Sequence, residues 1–388
     1  MGGQTRPSHR DHARAGSSRK RRSAVGGAFD LVTFLFHFEC GRISGKVPRT
    51  APRLSDGSPA VIFRGPRLTP SVFWTIKWSK REMIHVDGRF GLALGGGFIR
   101  GTAHIGVLRL LAKEKMAPAL VGGTSSGAMV AAFHAAGLAP AEIGRLAVEM
   151  RSADVYDQES ALARLVPMVA KAACDFLRLP FPWPTPLGLM QGRALSGFVE
   201  KKVGGVTMAK LPKPVAIPAV DLVSGQRVVF LGGKITPPAR SAVRYLTGCP
   251  LPVAIRASTA VPGIFEPVDW EGHLLVDGGV MENVPARVVR ELGLPRVLAV
   301  DVGYHRGPYG PVKNMVELLE RTLDLAGAAL VECELDEYAD VIIRPDTSGV
   351  GMWDFDRIPR LIEAGEQAAA ELLPEIRRLS MAKYYSTA

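Results

Sequence analysis

Between residues 89 and 137 the chain makes the same excursion twice: an apolar run of strand length, a glycine-framed turn, and a segment patterned as a helix. Two strand–turn–helix units so close together confine the fold to the α/β class, because such units lay their strands in one sheet and their helices over its faces. The rest of the chain agrees. Residues 215–222 and 226–231 read as paired strands, 296–302 and 341–344 as further strands, and 140–150, 161–177, 314–335 and 357–379 as helices. The expected architecture is a three-layer α/β/α sandwich with a mainly parallel central sheet.

The second turn carries the chemistry. Residues 119–123 read as a buried strand, and Ser125 follows in Gly123-Thr124-Ser125-Ser126-Gly127, the spacing of a nucleophile elbow. A strand that reverses into a helix within one residue leaves no room for Cβ atoms beside the serine, hence the glycines. The serine is pushed out at a helix N-terminus, where backbone N–H groups favour developing negative charge. The same spacing also arises by chance in chains rich in glycine and serine.

The first turn, Gly95-Gly96-Gly97-Phe98-Ile99-Arg100-Gly101, bares successive N–H groups suited to a phosphate or an oxyanion. A P-loop needs Lys after its last glycine, and Thr102 stands there, so that reading fails. A dinucleotide loop wants an acidic residue closing the next strand; Glu114 has the separation, but it falls at the end of the helix pattern. An oxyanion hole is the reading that explains why a serine elbow follows so soon. Far downstream, residues 273–276 form a short strand pattern ending in Asp277-Gly278-Gly279, which is either an ordinary tight turn or a carboxylate held at a strand end as a general base.

These three motifs, in this order, resemble the patatin-like phospholipase family: GxGxxRG at Gly95, Gly97, Arg100 and Gly101, GxSxG with Gly123 and Gly127 around Ser125, and DGG with Gly278 and Gly279 after Asp277. Supporting matches are His104-Ile105-Gly106-Val107-Leu108, Ala257-Ser258-Thr259-Ala260-Val261-Pro262-Gly263 and Asn283-Val284-Pro285. The resemblance covers roughly residues 90–303. It implies hydrolysis of acyl esters by a Ser125–Asp277 dyad, with the Gly95, Gly96 and Gly97 amides as the oxyanion hole, and no metal or other cofactor. Arg100, beside the loop, is expected to order it by salt bridge or hydrogen bonds, with contact to a phospholipid head group as the alternative. The pattern departs at Phe98 and Ile99, where small residues are commoner, so a narrower or more apolar mouth is expected. Two alternatives stay open: an α/β-hydrolase triad of Ser125, Asp277 and His305, whose order fits, and a lipid-binding regulatory protein with a degenerate site.

Charge is uneven. Residues 1–87 hold 16 Lys and Arg against 6 Asp and Glu, a net of +10, so the remaining 301 residues carry only +1 of the total +11. The polar head, residues 1–27, is expected to be disordered, and without aromatic interleaving or a folded module it reads as a nonspecific polycation rather than a nucleic-acid binder. Residues 28–38 are apolar but too short to span a bilayer, for which roughly 20 residues are needed. Met83, seven residues before Phe90, is a candidate true start, so residues 1–82 are expected to be a basic extension that need not be translated and 83–388 the catalytic domain. The cysteines, Cys40, Cys174, Cys249 and Cys333, show no CxxC spacing, which fits a reducing, cytoplasmic setting.

Residues 162–190 are strongly apolar, with Phe176, Phe181, Trp183 and four prolines between 180 and 186. The plainer reading is a buried helix followed by a stiff loop. The other is an acyl-binding wall or lid that touches lipid, giving the chain transient contact with a membrane surface beyond its lipid or ester substrate.

Overall fold

The computed structural model describes residues 90–388 except 158–160, 240, 242, 304–310 and 382–388. The expectations for residues 1–82 and the start at Met83 lie outside the described residues, as does His305.

The strands are β1 (Gly91–Leu94), β2 (Leu120–Gly123), β3 (Gly188–Met190), β4 (Val215–Asp221), β5 (Gln226–Gly232), β6 (Arg244–Leu246), β7 (Gly263–Phe265), β8 (Val268–Trp270), β9 (His273–Asp277), β10 (Val297–Val300) and β11 (Val341–Ile343). The helices are α1 (Ala103–Lys113), α2 (Ser126–Ala135), α3 (Pro140–Glu149), α4 (Ser152–Val155), α5 (Ala161–Phe176), α6 (Arg193–Val203), α7 (Leu251–Ser258), α8 (Ala286–Glu291), α9 (Met315–Tyr338), α10 (Ile358–Glu371) and α11 (Leu373–Met381). Nine strands form one sheet with the path β11-β10-β1-β2-β4-β5-β6, and β9 and β8 attach beside β4; β3 and β7 form a small separate ladder. The four pairings β11–β10, β10–β1, β1–β2 and β2–β4 are all parallel, so the expected α/β sandwich stands.

Both faces of the central strands are buried, which is why they read as unbroken apolar runs rather than alternating ones. Leu92, Leu94, Leu298 and Val300 pack into one core with α1, α2, α7 and α10. Ala93, Ala299 and Val297 pack into the other with α8 and with Val331 and Leu335 of α9.

Antiparallel pairing enters at β4. Its first residues, Val215 and Ala216, pair with β2. Beyond the end of β2, the rest of β4 is free on that side, and β9 fills the place running the opposite way, with Ala219 opposite Asp277. This exchange of partners along one strand brings the carboxyl end of β9 to the carboxyl end of β2.

Two expectations change. The single terminal helix is two, α10 and α11, broken at Leu372, with Pro374 in the first turn of α11. Residues 161–176 are helical, but α5 is not buried: Leu165, Val166, Val169 and Phe176 are exposed. Among the described residues no helix is long and apolar enough to cross a membrane.

Candidate active site

Ser125 sits between β2 and α2 with φ 53° and ψ −120°, a strained conformation for a residue with a side chain. The turn is enforced by its neighbours. A Cβ on Gly123 would lie 2.3 Å from the Gly127 carbonyl oxygen, and one on Gly127 would lie 2.2 Å from that of Leu94. Only bare backbone fits, so the elbow and the end of β1 press directly on each other. The amide of Ser125 donates to Ser258 Oγ at 3.1 Å, which anchors the turn to the end of α7. Thr124 Oγ1 donates to the Glu282 carbonyl at 3.0 Å, tying the elbow to the segment after Asp277.

Asp277 closes β9 and is 5% exposed. Its Oδ1 accepts from the Gly279 amide at 2.7 Å. Gly278 allows the tight turn because a Cβ there would lie 2.5 Å from the Pro218 carbonyl oxygen. Burial pushes the carboxyl up to about 7, against the hydrogen bonds from Gly279 and the Ser125 side chain, which favour the charged form. The Ser125 hydroxyl is thus within reach of the carboxyl, while no bond of ordinary geometry closes on Oδ2.

The glycine loop is held on three sides. The Gly95 amide donates to the Val300 carbonyl at 3.0 Å, and the Gly96 amide to the Asn283 carbonyl at 3.1 Å. The Asn283 side chain also donates through Nδ2 to the Gly96 carbonyl at 3.4 Å. A Cβ on Gly96 would lie 3.0 Å from Ser125 Cβ, so the loop abuts the serine. These bonds correct the expectation that the amides of Gly95, Gly96 and Gly97 all face the substrate. The first two are consumed where β1 continues its pairing towards β10 and where the turn after Asp277 docks. Among the described residues no main-chain acceptor takes the amides of Gly97 or Phe98.

Arg100 Nε donates to the Gly97 carbonyl at 3.3 Å. Burial holds its guanidinium below the ordinary range, with Asp324 and Asp301 opposing. Gly101 clears Ser126, whose Oγ would lie 2.2 Å from a Cβ there.

Three further residues belong to the assembly, and sequence reasoning listed them only as parts of matching motifs. Ser258 holds the elbow and Asn283 the loop. His104, fully buried on α1, meets the Gly95 carbonyl through Nε2 at 2.7 Å. Burial drives its pKa down to about 4, so the ring is neutral, and a contact with a carbonyl requires the tautomer that donates from Nε2. What the motifs lacked was any sign of which partner each side chain would meet.

Ser125 opens into a cleft lined by Phe98 and Ile99 of the loop, Met129 and Val130 of α2, and Leu195, Val261, Phe265 and Phe355, with Tyr156, Thr102 and Thr259 as its main polar contributors. Among the described residues no charged side chain lines it. Tyr156 stacks on Phe265 at a 6.2 Å centroid distance, closing one wall. Phe98, held at φ 53°, and Ile99 place apolar bulk in the cleft lining beside Ser125. Among the described residues no three His, Cys, Asp or Glu side chains lie where they could hold a metal ion.

An uncharacterized NTE family protein of Mycobacterium tuberculosis is 31% identical over 221 residues, 57% of this chain and 51% of that protein. A patatin-like phospholipase domain-containing protein of Caenorhabditis elegans is 30% identical over 337 residues, covering 79% of this chain and 22% of its own length. The chain thus spans about half the length of the first of these relatives. Among solved structures, VipD from Legionella pneumophila matches with a TM-score of 0.37 at 15% identity, over 74% of this chain and 67% of VipD. The family model described as Patatin-like phospholipase matches residues 92–290, more than half of the sequence. The chain therefore belongs to the patatin-like phospholipase family.

Proposed function

We propose that residues 83–388 form a lipid acyl hydrolase in which Ser125 attacks a carboxylic ester carbonyl and Asp277 accepts its proton. The observation that carries this reading is the pairing of a strained, glycine-framed serine with a carboxyl whose burial lifts its pKa to about 7. An ordinary carboxylate, with a pKa near 3.9, is too weak a base to take a proton from a serine hydroxyl; one raised by desolvation is better matched to the task at neutral pH.

The steps follow from the placement of the groups. The Ser125 oxygen bonds to the ester carbon as its proton passes to Asp277. Negative charge gathers on the former carbonyl oxygen, which the amides of Gly97 and Phe98 are free to receive, aided by the N-terminus of α2. Collapse of this intermediate expels the alcohol, to which Asp277 returns the proton. Water, deprotonated by the same carboxylate, then attacks the acyl-serine, and the acid leaves as Ser125 recovers its proton. Dyad chemistry of this kind calls on no cofactor. The apolar lining of the cleft suits an acyl chain, while His104, Asn283, Ser258 and Arg100 keep the loop and elbow in register.

The test is hydrolysis of p-nitrophenyl esters of graded acyl length by the full chain. Ser125→Ala and Asp277→Asn should each lower kcat/KM by at least about 1,000-fold, and a fluorophosphonate should label the wild type and not Ser125→Ala. His305→Ala should retain turnover; its loss would favour a triad instead. Labelling that persists in Ser125→Ala would remove the serine assignment altogether.

A further inference from the structure

Helix α5 turns an apolar stripe to solvent. Arg164, Lys171 and Asp175 share one side of it, whereas Leu165, Val169, Ala172 and Phe176, spaced i, i+4, i+7 and i+11, share the other. A surface helix ordinarily turns its apolar stripe to the core. Here Arg164 faces the body, donating to the Gly188 carbonyl at 3.2 Å and pairing with Glu266. The apolar stripe faces solvent, with Val169 59% and Phe176 87% exposed.

The patch continues beyond the helix. Leu177, Leu179, Trp183 and Leu187 are all exposed, on a segment stiffened by Pro180, Pro182, Pro184 and Pro186. The Trp183 ring packs edge-on against Phe181 at 5.4 Å. Contiguous apolar surface of this kind marks a site of contact rather than a neutral exterior. It is also continuous with the cleft: the segment runs into β3, and β3 pairs with β7, whose Phe265 lines the cleft beside Ser125.

With Arg164 paired to Glu266 and Lys171 to Asp175, Arg178, exposed between Leu177 and Leu179, is among the described residues the cation this patch presents to solvent. A stiff loop bearing Trp and Phe beside a cationic side chain is suited to the boundary between lipid headgroups and acyl chains, where apolar contact needs no directional partner and a cation meets phosphate. We infer that α5 and the 177–187 segment form the surface that seats this protein on an anionic lipid bilayer, one strand away from the cleft that takes the acyl chain. The purpose of such a surface rests on the acyl-hydrolase reading; the contact itself does not.

The experiment separates the two. Full-length Ser125→Ala protein is sedimented with vesicles of phosphatidylcholine, with and without phosphatidylglycerol. It should bind the mixed vesicles, more weakly at high salt, and adding Val169→Asp with Trp183→Ser should lower the partition coefficient by at least about tenfold. Both side chains are exposed, so the fold has no stake in them. In the protein with Ser125 intact, the same pair should leave hydrolysis of the soluble p-nitrophenyl butyrate unchanged while lowering hydrolysis of a vesicle-borne ester by at least about tenfold. The proposal is overturned if the parent protein ignores vesicles or if the double variant binds like its parent. It is also overturned if sedimentation equilibrium shows a dimer that the double variant dissolves, since a second copy would then cover the face. Vesicle binding that responds to the variants in a protein inert on every ester would uphold the surface and remove the hydrolase reading.

Discussion

In the proposed mechanism Asp277 takes the Ser125 proton, and its environment has two measurable consequences. Because burial raises its pKa to about 7, kcat/KM should climb through that pH as the carboxyl loses its proton, a midpoint well above that of an exposed aspartate. The same shift costs stability. In the unfolded chain the group ionises near 3.9, so as pH rises from there towards 7 the folded state holds a proton that the unfolded state has released. Stability is therefore lost across that window and stays reduced above it. Asp277→Asn should raise Tm relative to wild type at about pH 8 and show little difference below about pH 4, whereas a carboxylate stabilised in its charged form would give the opposite sign. The glycine spacing around Ser125 and Asp277 marked both as candidates, since steric exclusion of Cβ atoms is a local matter. The raised pKa comes from walls supplied by distant strands, which no local pattern names.

At the scale of elements, the loop depends on how tightly α1 lies against α10. A Cβ on Gly365 would fall 1.8 Å from the Ala103 carbonyl oxygen, and one on Gly106 would fall 1.9 Å from that of Ile362. Backbone meets backbone at both points, and α1 begins directly after the loop that carries Gly97 and Phe98. Gly365→Val should cost about 3 kcal/mol or more in urea denaturation, because neither helix can move without shifting the loop. Gly197, inside α6, has open space around it, and Gly197→Ala should instead stabilise by up to about 1 kcal/mol. Most elements were readable as such, from periods of 3.6 and from apolar runs. The short strands β3, β6, β7 and β8 were not: three residues carry too little pattern to stand apart from loop. Helix α5 shows the other limit, since periodicity reveals that a face is apolar but not what the face will meet.

Across the whole molecule, the two halves of the site are joined by a buried polar link. Glu282, fully buried, pairs with Arg227 of β5, accepts the Val288 amide at 3.0 Å, and offers its own carbonyl to Thr124 of the elbow. Burial pushes its carboxyl upward while Arg227 holds the charged form. Removing the cation leaves a carboxylate without compensation, so Arg227→Gln should destabilise by about 3–5 kcal/mol near neutral pH and by less in acid, where Glu282 can take a proton. Denaturant titrations at the two pH values would settle it; a loss that does not depend on pH would place the cost elsewhere.

By itself the sequence determined the α/β class, the strand–turn–helix units, the serine elbow and the carboxylate turn, because hydrophobic period and glycine sterics act over a few residues. Tertiary structure alone decided three things. It was the change of partner along β4, from β2 to an antiparallel β9, that carried Asp277 to Ser125. It was the docking of Asn283 and Val300 that consumed the Gly95 and Gly96 amides and left those of Gly97 and Phe98. It was the anchoring of Arg164 to Glu266 that turned the apolar stripe of α5 outward. Each depends on a hydrogen bond or ion pair between segments far apart in the chain, and no local pattern encodes which distant group will fill a given valence.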